Sequence, residues 1–163
     1  SVLMQELGYQ RGAIGLLWAL GVAAEVLMFA LMPRLLAHFS LRSLLLFSVL
    51  MCVLRWSLTA WLPEQLWVML FAQCLHAATF GSFHAVGIAL VQHYFCLSTQ
   101  GRGQALFSSV GFGAGGALGA VVTGQLWGSW GVLSFGVAAA VSVLAMLLAL
   151  VWIFPGNAQQ NRG

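Results

Sequence analysis

Residues 66–91 read LWVMLFAQCLHAATFGSFHAVGIALV, and the character of this stretch decides the fold. It contains no Lys, Arg, Asp or Glu. A bilayer-crossing helix needs roughly 20 mostly apolar residues at about 1.5 Å rise each, so the stretch is long enough to cross a membrane as one helix. Its polar side chains, Gln73, His76, Thr79 and His84, then lie at hydrocarbon depth. At about 100° per residue, Gln73, His76, Phe80, His84 and Gly87 fall within roughly an 80° sector, opposite a wall of Leu, Val, Met, Ala and Ile. Polar groups facing lipid lack hydrogen-bond partners, so the polar wall is expected to face protein or a water-filled cavity.

The rest of the chain has the same character. Of 163 residues, 61% are hydrophobic and 6% charged, against roughly 25% charged in soluble domains. The fold class is all-α, a multi-span transmembrane helical bundle of about five spans. The net charge of +3 comes from arginines scattered singly between apolar runs. No basic stripe lines up to neutralise a row of phosphates, which argues against nucleic acid as a partner. Cys52, Cys74 and Cys96 are odd in number and form no Cys-x-x-Cys pair, so they read as small apolar fillers rather than metal ligands or disulfides. No metal or other cofactor is expected. The chain opens at Ser1 without an initiator Met or a signal peptide, and reads as a piece of something longer.

Taken in order, residues 1–11 are the end of a preceding helix and its loop. Spans follow at about 12–32, 44–62, 66–91, 105–127 and 132–154, with a polar tail at 155–163. The first span is expected to close at Pro33-Arg34, because proline ends helices and arginine favours the interface. A short loop, residues 34–42, then carries Arg34, His38 and Arg42. The fourth span crowds Gly111, Gly113, Gly115, Gly116, Gly119 and Gly124 into one helix. Within it, Gly111, Gly115 and Gly119 repeat at the small-xxx-small spacing that lets two helix backbones approach closely in lipid, so their expected role is helix packing. Trp127 and Trp130 read as interfacial anchors, and the almost wholly apolar last span reads as lipid-facing. Alternate connections carry Arg34, Arg42, Arg102 and Arg162 on one side and only Arg11 on the other. The positive-inside rule then makes the first set, and the C-terminus with it, cytoplasmic.

Glu25, Arg55 and His76 sit inside three successive spans, Glu25 and His76 near mid-depth and Arg55 nearer the outer face. A lone charge at the bilayer centre costs about 2.5 kcal/mol or more, so acid and base on neighbouring helices should find each other or a wet cavity. One reading makes them a substrate and proton site. The other makes Glu25–Arg55 a structural ion pair that fixes helix packing. Histidine is the natural proton carrier, with a reference pKa of about 6.5. His76 is therefore a candidate for proton coupling, and His84, deeper toward the cytoplasm, another. Gln73 and Thr79 are placed to hydrogen-bond a solute or a neighbouring helix. Trp18, Trp56 and Phe80 either stack against a ring or fill space, with packing the favoured reading, and His38 and His93 read as solvated polar groups.

GLLWALGVAAE ending in Glu25, MPRLLAHFSLR, VLRW with Arg55, and AQCLHAATFGSFHA with His76 and His84 together resemble the C-terminal half of a major facilitator superfamily transporter. The likeness is to its proton-coupled permease branch and covers essentially the whole chain, as family helices eight to twelve plus the end of helix seven. It implies that Arg55 and His76 match the helix-nine arginine and helix-ten histidine that serve the proton and substrate site of the sugar permeases. Glu25 resembles the helix-eight acid. The sugar permeases carry a carboxylate one turn after that histidine and a lysine one turn before it, where this chain has Thr79 and Gln73. The proton-carrying role would then pass to Glu25 or a histidine.

The resemblance implies an inner-membrane secondary transporter, not an enzyme. Such a protein would carry a small organic solute, aromatic or another organic acid, in symport with protons by alternating access of two six-helix halves. Its partners would be membrane lipid, the N-terminal half of the same transporter, the solute and the proton. Arg55 fits an anionic solute, since guanidinium pairs bidentately with carboxylate. Two other classes stay open. One is a non-transporting assembly subunit, favoured by the glycine helix. The other is a haem-binding redox subunit, disfavoured because His76 and His84 share one helix.

Overall fold

The computed structural model describes residues 2–152, and the tail at 155–163 with the last residues of the fifth span lies outside them. Among the described residues the chain is helical throughout, without strands. A short α1 (Val2–Glu6) is followed by α2 (Arg11–His38), α3 (Leu41–Trp61) and α4 (Leu66–Tyr94). The glycine-rich part comprises α5 (Gln100–Ser108), a π-helical turn (Ser109–Ala114) and α6 (Gly115–Trp130). A 3₁₀ turn (Gly131–Leu133) leads into α7 (Ser134–Trp152). By length and composition, α2, α3, α4 and the continuous helical stretch Gln100–Val151 are each apolar enough to cross a membrane.

Pro33 does not end its helix. It removes one backbone donor, a cost that membrane helices tolerate where neighbouring groups compensate, and α2 runs on to His38. There the Phe39 N–H closes on the Leu35 carbonyl at 2.8 Å. The His38 ring meets the Arg34 carbonyl, also at 2.8 Å. His38 is thus a helix-end group, and the connection expected at residues 34–42 contracts to Phe39 and Ser40. Ser40 caps α3, accepting from the Ser43 N–H at 3.1 Å.

The side-chain pairings set the helix directions. Gly21 lies by Gln73, Glu25 by His76 and Met28 by Gly81, so α2 and α4 run parallel. Phe107 covers Gly87, while Gly103 sits under Val91 and Phe95, so α5 returns antiparallel to α4. Trp56 stacks on Phe135, Cys52 meets Ser142 and Arg42 donates to the Leu150 carbonyl, which places α7 antiparallel to α3. The reversal between α6 and α7 falls at Gly131, whose φ of 50° belongs to the left-handed region that glycine enters without steric cost. One apolar cluster holds Leu3, Met4, Ile14, Leu17 and Met69, and a second at the opposite end holds Met32, Leu44, Leu45, Val86 and Ala149. Glu25, Arg55 and His76 lie between the two.

Two expectations change on packing. The last helix does not simply face lipid: Ser134, Ser142 and Ala149 are buried, while Val141, Leu144, Leu148 and Val151 remain exposed. Its short side chains let α3 approach on one side only. The glycine-rich span is not one regular helix either. Phe112 reaches Phe80 and His84 from the π-helical turn, where small neighbours offer little side-chain resistance to a wider helical turn. Along Gly111 and Gly119 a β-carbon would meet nothing within 4 Å. Beside Gly115 the nearest atom is the carbonyl of Val110 in the same stretch, at 3.4 Å. No described residue therefore packs on this stripe, and the close helix approaches are made at Gly21, Gly81, Gly87 and Gly103.

Candidate functional site

Glu25, Arg55 and His76 come from α2, α3 and α4 and meet in one chain of contacts. His76 stands in the middle. One ring nitrogen, Nε2, lies 3.1 Å from Glu25 Oε1, and the other, Nδ1, takes a close contact from Arg55 Nη1. A guanidinium only donates, so Nδ1 must offer its lone pair, and a neutral imidazole then carries its hydrogen on Nε2, aimed at the carboxylate. The arrangement thus selects one tautomer. Adding a proton to His76 would place N–H against N–H on the Arg55 side, so protonation and the Arg55 contact exclude each other.

Arg55 was expected closer to the outer face than His76, yet its long side chain brings the guanidinium alongside the ring. Its Cζ sits 4.0 Å from the centroid of Trp56, a cation–π contact. Trp56 in turn stacks on Phe135 with centroids 5.4 Å apart and planes within 12°. The buried Nε of Arg55 finds no partner among the described residues. Glu25 and His76 stay partly open, their side chains 21% and 38% accessible, because they border a cavity.

That cavity has a volume of about 390 Å³. Its polar lining comes from Glu25, Arg55, Gln73, His76 and Thr59, and Trp18, Trp56 and Phe135 supply aromatic surface. A few convergent polar groups in a mainly apolar concavity are what small-molecule sites share. The guanidinium offers donors to this space, and the rings offer it flat apolar surface.

The residues singled out in the sequence divide into two groups. Glu25, Arg55, His76 and Gln73 share the cavity. Thr79 does not line it: the hydroxyl donates to the His76 carbonyl at 2.8 Å, held by its own helix. His84 lies apart as well, ringed by Phe29, Phe80, Phe107 and Phe112 at centroid distances of 5.4–6.3 Å. Phe80 stacks between His76 and His84, separating the second histidine from the first. Several lining residues were absent from the sequence-derived site, among them Trp18, Gly21, Trp56, Thr59 and Phe135. Thr59 follows Arg55 by four residues and so shares its helix face, a signal available in advance. Phe135 had no such signal, since it comes from the helix read as facing lipid.

Comparison with known proteins gives a consistent result. The family model described as the MFS_1 like family matches residues 1–137. A probable 3-phenylpropionic acid transporter from Escherichia coli (strain K12) is 34% identical over 152 residues, which cover 91% of this chain and 38% of that protein. The chain thus spans well under half the length of that relative. No solved structure matches it significantly.

Proposed function

Because this chain belongs to the MFS_1 like family of the major facilitator superfamily, we propose that it forms the C-terminal part of a secondary transporter. The transporter couples uptake of a small organic anion to protons by alternating access. The observation that carries this reading is the Glu25–His76–Arg55 chain on the wall of the cavity. Substrate carboxylate and His76 compete for the same guanidinium. When a substrate draws Arg55 away, His76 Nδ1 is left without its donor and free to take a proton, and Glu25 stabilises the imidazolium that results. Loading of anion and proton then favour each other.

The aromatic walls support an aryl acid as substrate, in line with the 3-phenylpropionic acid named for the Escherichia coli relative. The protein would sit in the inner membrane with its C-terminus cytoplasmic, following the arginine asymmetry of its connections. The stripe of Gly111, Gly115 and Gly119, bare among the described residues, would receive helices of the N-terminal half. Glu25→Gln in the full native protein tests the coupling. Uphill uptake should be abolished while counterflow exchange persists, and unchanged uphill accumulation would reject Glu25 as the partner that stabilises the protonated His76.

A further inference from the structure

Gln73 differs from the other polar groups of the cavity. Glu25, His76 and Arg55 occupy one another, and Thr59 donates to the Arg55 carbonyl at 2.9 Å. The Gln73 amide lines the cavity one helical turn from His76 and has no hydrogen-bond partner among the described residues. Across from it Gly21 is buried, and a β-carbon there would lie 3.1 Å from Gln73 Oε1, closer than an ordinary contact. The missing side chain lets the amide lie back against α2. With a β-carbon at position 21, the amide oxygen would have to give way by a few tenths of an ångström and lose its present seat against α2.

We propose that Gln73, positioned by Gly21, is a specificity determinant that reads a second hydrogen-bonding group on the substrate, so that the preferred class is a hydroxyl-bearing aryl acid rather than an unsubstituted one. This rests on the organic-acid reading of the same cavity. An amide offers both donor and acceptor, which matches a hydroxyl, itself both. A plain aryl ring lying over that amide would strip its water and return nothing, and sites built around a polar group discriminate strongly against the analogue that lacks the matching one. Arg55 takes the carboxylate, and Gln73 takes the hydroxyl from the neighbouring helix.

The test uses the full native protein in proteoliposomes, comparing 3-phenylpropionate with its ring-hydroxylated counterparts in direct binding, read by tryptophan fluorescence, and in uptake. The hydroxylated acids should bind about tenfold more tightly, the effect of one well-made hydrogen bond. Gln73→Leu should remove or invert that ratio. Gly21→Ala should shrink the ratio when Gln73 is present and have no effect on it in the Gln73→Leu background, because Gly21 acts through the amide. Equal ratios in the wild type and in Gln73→Leu overturn the proposal while leaving the organic-acid reading intact. Failure of both the plain and the hydroxylated acids to bind the wild type overturns both. Binding of both acids to Gln73→Leu also verifies that the variant is folded.

Discussion

Arg55 and Glu25 carry opposite charges on α3 and α2, yet among the described residues they are joined through the imidazole of His76. The ring therefore holds the two charges in register and separates them, and any change in its protonation is felt by both.

Replacing His76 should distinguish bridging from space filling. Phenylalanine fills a similar volume but leaves the carboxylate and the guanidinium without their partner, whereas glutamine retains one donor and one acceptor. His76→Phe should lower the stability of the purified protein by about 1–3 kcal/mol, the range for hydrogen bonds to charged groups left unmade, reduced by their partial exposure. His76→Gln should lose less. Thermal unfolding in detergent measures both.

Trp56 should report the state of the relay. Arg55 lies 4.0 Å over its ring, and that position depends on the lone pair of His76 Nδ1. As pH falls and the imidazole takes a proton, the guanidinium loses this acceptor and its place over the indole shifts. The difference in emission between the wild type and Trp56→Phe should therefore change with pH, and His76→Gln should abolish the change.

The approach of α5 to α4 depends on Gly87. A β-carbon there would fall 2.2 Å from Phe107 Cζ, and a flat ring has few ways to yield. Gly87→Ala should destabilise the protein by about 1–3 kcal/mol, as overpacking does. Adding Phe107→Ala should recover part of the loss, whereas independent effects would simply sum.

The packing of α7 on α3 has a direct chemical test. Cys52 Sγ and Ser142 Oγ are 3.4 Å apart, so Ser142→Cys should cross-link to Cys52 under mild oxidation, detected as a loss of free thiol by mass spectrometry. If α7 faced lipid on all sides, no cross-link would form.

Much of the site was legible because the membrane makes charge conspicuous. In a chain that is 61% hydrophobic, Glu25, Arg55 and His76 stand out against apolar neighbours, and the cost of leaving each alone in hydrocarbon predicts that they meet. Gln73 followed from its place on the same helix face as His76. Thr79 was drawn in as a polar group at hydrocarbon depth and His84 by the same helix face as Gln73 and His76, yet their surroundings differ. Thr79 is satisfied by a carbonyl of its own helix and His84 is enclosed by phenylalanines. Composition marks a side chain as polar without telling whether its own helix or a neighbour already attends to it.

All-helical, membrane-spanning character and the three isolated ionisable groups were set by the chain alone, since hydrophobic length and isolated charges are local properties. Tertiary packing decided the rest: that His76 separates Arg55 from Glu25, that Phe135 and Trp56 form the aromatic wall, that α2 passes Pro33 unbroken, and that Gly21 makes room for Gln73. Each of these depends on which faces of different helices come together. That relation is fixed by the fit of side chains across the interface, and no single segment encodes it.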